Sequence, residues 1–252
     1  MAIFHAYIFI LGLILGSFLS VIVSRLDQKR GIFLGRSECP DCLTKLKWYD
    51  LFPVFSFLFL RGKCHYCGRH ISWLYPIMEF TVAGSFLSYC AISSQCFSLA
   101  GFYWLFVIFI LLALLFFDYV HYILPDKLIL IALVAVLIYN LVFNSHLIIN
   151  GLLTGLALGG FFGIIFVVSR GEWIGFGDVK LAFLVGFILG YPAAIFAITV
   201  ATWSGALWGL GMIATGKANL KTQLPFGTFI CGSAIIFIIF NEIISNYVQY
   251  IF

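Results

Sequence analysis

Two aspartates and four cysteines are the residues of this sequence whose types and spacing could do chemistry. Asp118 closes a long apolar run in LLFFDYVHYILPDKL, and Asp178 follows Gly175 and Gly177 in GFGDVKL. Only 10% of the 252 residues are charged. An ionisable group kept beside membrane-grade apolar sequence is costly, so its default reading is functional. Two carboxylates brought together can share one proton. One stays ionised and activates a water as general base; the other, protonated, hydrogen-bonds to a substrate carbonyl. That is aspartic-protease chemistry. Gly175 and Gly177 would let backbone and substrate come close to Asp178. Position alone leaves a second reading open, in which the aspartates cap helices or line an ion pathway and Asp178 pairs with Lys180. Asp126, directly after Pro125, reads as a helix cap. Glu79, in YPIMEF, lies inside an apolar run that Pro76 already opens, so it calls for a buried partner or a cofactor contact.

The four cysteines form two C-x2-C pairs, Cys39 and Cys42 in CPDC and Cys64 and Cys67 in CHYC. Each pair can present two thiolates from one tight turn, and Gly68 supplies a position that tolerates a left-handed backbone. Four thiolates close a tetrahedral zinc site with no open position for substrate, so such a metal is structural. Two disulfides or four free thiols are the alternatives, and a reducing compartment disfavours the disulfides. Cys90, Cys96 and Cys231 lie in or beside apolar runs and read as packing residues. No H-E-x-x-H, G-x-S-x-G or phosphate-binding glycine loop is present, which leaves metalloprotease, serine hydrolase and NTPase readings without support.

The elements that must position these groups are membrane helices. Hydrophobic residues make up 63% of the chain, far above the half or so of a soluble domain. Apolar runs predict eight spans, at roughly 3–24, 73–95, 97–117, 127–144, 147–168, 179–191, 193–215 and 227–250. Gly190-Tyr191-Pro192 marks the turn after the short sixth span, unless the sixth and seventh are one broken helix. Assigning alternate loops to the two sides puts all 14 Lys and Arg on one side. Positive loops stay cytoplasmic, so the long loop 25–72, Asp118 and Asp178 are expected at the cytoplasmic face. The net charge of +4 is then a topology signal and not a sign of nucleic-acid binding. The expected fold is an all-α polytopic membrane protein. Its parts are a first transmembrane helix (1–24), a zinc-ribbon-like cytoplasmic loop (25–72) and a helical core (73–252). A transporter using Glu79, Asp118 and Asp178 is the alternative, but the internal repeats such folds carry are not evident.

Together these motifs resemble the type IV prepilin peptidases. The resemblance runs through LGSFLSVIVSRL at 15–26, the four-cysteine loop, YPIMEF at 75–80, DYVHYILPDKL at 118–128, GFGDVKL at 175–181 and LPFGTF at 224–229. It implies an intramembrane aspartic endopeptidase of the bacterial inner membrane, with Asp118 and Asp178 as the catalytic pair and Asp126 outside it. The implied reaction removes the basic leader of a prepilin, or of a type II secretion pseudopilin, after a glycine. N-methylation of the new N-terminus with S-adenosylmethionine follows. The resemblance associates Cys39, Cys42, Cys64 and Cys67 with the bifunctional members and Glu79 with methyl transfer. The family's P-F-G-P reads P-F-G-T in this chain, with Thr228 in place of the second proline.

Overall fold

Helices form at all eight positions where the apolar runs predict spans. The computed structural model of the chain describes residues 2–25, 37–143, 145–219, 222–241 and 243; the basic residues Lys29, Arg30, Arg36 and Lys221 and the rest of the predicted last span lie outside them. The long helices are α1 (Ala2–Arg25), α3 (Leu74–Ile92), α4 (Leu99–His121), α5 (Asp126–Phe143), α6 (Ser145–Val168), α7 (Phe176–Leu189), α8 (Ala193–Ala214) and α9 (Phe226–Ile239). A 3-10 turn at Trp48–Leu51 and the short α2 (Phe55–Phe59) lie in the cysteine loop. No strand occurs among the described residues; two isolated bridges, Glu38 with Lys45 and Lys63 with His70, take its place. By length and composition, α1, α4, α5, α6 and α8 can each cross a membrane. α3, with 19 residues, and the shorter α7 and α9, with 14 each, stand at the remaining three positions.

The chain divides into two units, residues 1–101 and 102–252. In the first, α1 lies against α3 because two glycines remove the side chains between them. A methyl group on Gly12 would stand 2.5 Å from Ala83 Cα, and one on Gly16 would stand 2.5 Å from Glu79 Cα. This is G-x-x-x-G association, in which small residues let helix backbones meet where lipid leaves no hydrophobic driving force. Beyond α3, Cys90 and Cys96 are joined as a disulfide with Cα atoms 4.9 Å apart. Their apolar surroundings mark them as packing residues, and the structure adds the covalent pairing. They are buried, and the return of the chain after α3 also brings them together.

In the second unit, α6 meets α7 through Gly151, Gly155 and Gly159, whose faces lie against Phe187 and Phe183, while Gly186 returns the contact on Gly155. α7 and α8 are separate helices. Gly190 breaks them with φ +65°, and the Asn150 amide holds the turn, accepting the Tyr191 N–H at 3.0 Å and donating to its carbonyl at 3.3 Å. α7 begins at Phe176, three residues before the predicted span, so Asp178 sits within its first turn.

Candidate functional site

Asp118 lies in the last turn of α4 and is buried. Its Oδ2 accepts the backbone N–H of Thr228 at 2.7 Å and lies 3.2 Å from the Thr228 hydroxyl. That N–H belongs to the first turn of α9, where helix donors lack a full helical partner; it also reaches the Pro225 carbonyl oxygen, at a longer 3.3 Å. Asp118 thus caps a helix other than its own. Gly227 makes the approach possible, since a methyl group there would stand 3.0 Å from Asp118 Oδ2 and 3.2 Å from Leu124 Cδ1.

Leu124 also touches the other aspartate's turn. A methyl group on Gly177 would meet Leu124 Cβ and Cδ1 at 3.2 Å. The next residue, Asp178, lies close enough to Asp118 to feel its charge. Cys231, one turn along α9 from Thr228 and fully buried, feels both. Asp178 also does what a first-turn carboxylate does. Its Oδ2 accepts the Gly175 N–H at 3.3 Å, half of a capping box, because Gly175 has no side chain to return a bond. Capping and pairing therefore coexist in Asp178. The two motif glycines differ: Gly177 is needed small, whereas Gly175 has an ordinary extended backbone (φ −73°, ψ 149°) and its nearest neighbour is Asp178 Oδ2 at 3.5 Å. The Lys180 ammonium pairs with Asp126 at 2.6 Å, not with Asp178, and lies over the Phe176 ring.

The cysteine loop repeats one turn twice. Cys39 N–H donates to Thr44 O at 3.1 Å and Leu43 N–H to Cys39 O at 2.9 Å; Cys64 N–H donates to Arg69 O at 2.8 Å and Gly68 N–H to Cys64 O at 3.0 Å. Leu43 (φ +56°) and Gly68 (φ +71°) occupy the same left-handed position. The four Sγ atoms lie within 4.8 Å of one another, with Cys39 and Cys67 3.9 Å apart. A tetrahedral zinc with bonds of about 2.3 Å needs sulfurs about 3.8 Å apart, so the donor set can hold a metal ion. The thiols are tuned unequally. The Thr44 hydroxyl and N–H bring Cys42 down to about 6, and backbone N–H groups of Cys67 and Tyr66 lower Cys64. The Arg69 N–H pulls Cys67 down, yet lost hydration and the neighbouring sulfurs push it up to about 12. A cation among the four sulfurs is what would let all of them ionise together.

Glu79 has the buried partner its position demands. Its Oε2 accepts the Val54 N–H at 2.7 Å, and the Ser17 hydroxyl bonds the same carboxylate. It also stands in the wall of a cavity of about 1020 Å³ within the first unit, with Ser17, Glu38, Asp50, His65 and Arg69 among the other lining residues. Sequence reasoning missed Thr228, Gly227 and Leu124 as neighbours of Asp118; the motif L-P-F-G-T-F was the available signal.

Residues 10–94 match the Bacterial Peptidase A24 N-terminal domain, and residues 105–240 match the Type IV leader peptidase family. A "Prepilin leader peptidase/N-methyltransferase" of Bacillus subtilis (strain 168) is 33% identical over 96% of this chain and 97% of its own length. Proteins of the same name from Stutzerimonas stutzeri (30% identical, 96% and 92% covered) and Myxococcus xanthus (32%, 87% and 67%) are also similar. No solved structure matches. With more than half of its length inside one family and a relative aligned nearly end to end, the chain belongs to the type IV leader peptidase family.

Proposed function

We propose that the chain removes the basic leader from type IV prepilins or type II secretion pseudopilins after a glycine, with Asp118 and Asp178 as a proton-sharing pair, and then methylates the new N-terminal amine. The observation that carries this reading is the cluster in which Gly227, Leu124 and Gly177 close the space between Asp118 and the turn bearing Asp178. Two carboxylates brought close together hold one proton between them. The ionised member takes a proton from water as the water attacks the scissile carbonyl, and the protonated member hydrogen-bonds to the carbonyl oxygen. The charge asymmetry of the loops supports a bacterial inner-membrane location with both aspartates at the cytoplasmic boundary. A prepilin's basic leader joins its apolar helix there.

For methyl transfer, the first unit's cavity suits S-adenosylmethionine, whose sulfonium, ammonium and carboxylate need both acidic and basic partners. About 1020 Å³ is ample for a cofactor of that size. Glu38, Asp50 and Glu79 offer acidic partners and Arg69 a basic one. The cofactor supplies an electrophilic methyl group when bound. Cys39, Cys42, Cys64 and Cys67 would hold a structural zinc that fixes the cavity's loop wall.

Co-expression with a prepilin tests the peptidase. Asp118→Asn and Asp178→Asn should each lower cleavage at least about 10²-fold, with Asp126→Asn near wild type. Wild-type cleavage by either dyad variant would sink the two-aspartate reading. Equilibrium dialysis of labelled S-adenosylmethionine against the cleavage-dead variant tests the cavity, with Arg69→Ala expected to weaken binding.

A further inference from the structure

Thr228 directs two donors at one oxygen of Asp118. Its N–H lies 2.7 Å and its hydroxyl 3.2 Å from Oδ2, while the hydroxyl also lies 3.3 Å from the Leu115 carbonyl oxygen. A threonine hydroxyl has one proton to give, so it either donates to Asp118 or turns to Leu115. The N–H is a fixed donor of the first turn of α9, at the end of the helix that favours negative charge. The second proline of the resembling family's P-F-G-P motif has no N–H and no hydroxyl.

Resting on the dyad reading, we infer that Thr228 is a positioning residue that dedicates the two oxygens of Asp118 to different tasks. Oδ2 is held as an acceptor against α9, where two donors leave no place for a proton. Oδ1 remains to face the attacking water. Asp118 is then the general base, and the dyad's resident proton sits on Asp178, whose one hydrogen bond among the described residues is a long one, from Gly175 at 3.3 Å. As the water attacks, its proton passes to Oδ1 of Asp118 while Asp178 transfers its own proton to the carbonyl oxygen, giving a neutral gem-diol; the pair holds one proton before and after. The Thr228 hydroxyl keeps the carboxylate from rotating during that transfer and can turn to the Leu115 carbonyl once the proton has arrived.

Cleavage kinetics of Thr228→Val and Thr228→Ser, with Asp118→Asn as reference, test this. Valine keeps the shape and the N–H but loses the hydroxyl; serine keeps both donors. A hydrogen bond to a charged group is worth roughly a tenfold rate factor or more when it orients a reacting group. Thr228→Val should lower kcat about tenfold with KM unchanged, and Thr228→Ser should stay within about twofold of wild type. Equal thermal midpoints of the two variants in detergent would separate positioning from folding. If Thr228→Val matches wild type while Asp118→Asn is inactive, the Thr228 role is overturned and the dyad stands. If Thr228→Ser falls as far as Thr228→Val, the hydroxyl does not position Asp118 and the inference also fails. If Asp118→Asn cleaves normally, the dyad reading itself falls, and this inference with it.

Discussion

The buried carboxylate of Glu79 holds the backbone N–H of Val54 at 2.7 Å, and Val54 carries φ +62°. A β-branched residue rarely adopts that conformation, so the surroundings must impose it, and Glu79 is part of what does. The cysteine loop is thereby tied to α3 at the wall of the cavity proposed for the methyl donor.

Replacing Glu79 separates its two possible contributions. Glu79→Ala leaves a buried N–H without an acceptor and should cost about 1–3 kcal/mol, visible as a lowered thermal midpoint in detergent. Glu79→Gln keeps an acceptor for Val54 and should hold most of that stability. Loss of methylation by the glutamine variant, read by mass spectrometry of the product N-terminus, would assign the charge to methyl transfer. Full methylation would leave Glu79 a purely structural clamp.

The cysteine loop should carry one metal ion per chain, measured by elemental analysis of the purified protein. Cys64→Ser should abolish stoichiometric binding. The repeated turn predicts an asymmetry as well. Leu43→Gly relieves a left-handed non-glycine residue and should keep the metal, whereas Gly68→Val introduces that strain and should cost about 1–2 kcal/mol. Equal metal retention by these two variants would show that the left-handed positions do not constrain the site.

Among the glycines near the aspartates, close approach ranks the expected damage. Gly227→Ala forces a carbon to 3.0 Å from Asp118 Oδ2, and Gly177→Ala meets Leu124 at 3.2 Å. Both should lower kcat for prepilin cleavage, Gly227→Ala by about tenfold or more, since misplacing a reacting group by an ångström costs about that or worse. Gly175→Ala should be nearly silent. A cleavage assay in which Gly175→Ala is the most damaged of the three would contradict this ordering.

The ion pair between Lys180 and Asp126 has a mostly exposed carboxylate. Such pairs contribute about 0–1 kcal/mol. Lys180→Ala and Asp126→Asn should therefore shift the thermal midpoint little and leave cleavage within a few-fold of wild type. A large loss in Asp126→Asn would return Asp126 to contention for a place in the dyad.

The helices were legible in the sequence because an apolar run of span length has no soluble alternative, and the two C-x2-C turns because four sulfurs at that spacing have few other uses. What stayed hidden depends on distance along the chain. Thr228 reaches Asp118 across 110 residues, and no local period marks such a pair. The partner of Lys180 lay 54 residues away in Asp126, while sequence proximity pointed to Asp178. The glycine spacings in α1 and α6 were present as G-x-x-x-G, a helix-contact signal that apolar content alone obscures. Leu43 hid its left-handed turn because a leucine does not advertise one, whereas Gly68 did.

The helix α3 has oxidised sulfur at one end and free sulfur before the other. Cys90 is bonded to Cys96 at its C-terminal end, while Cys39, Cys42, Cys64 and Cys67 are unbonded and clustered in the loop that precedes its N-terminus. Nineteen helical residues span about 28 Å, close to the thickness of a bilayer's hydrocarbon. A zinc ion among the four sulfurs would hold them as thiolates on the metal, out of reach of an oxidant that closes the Cys90–Cys96 pair. Metal loading ahead of oxidation would then keep the two sulfur chemistries apart on one polypeptide.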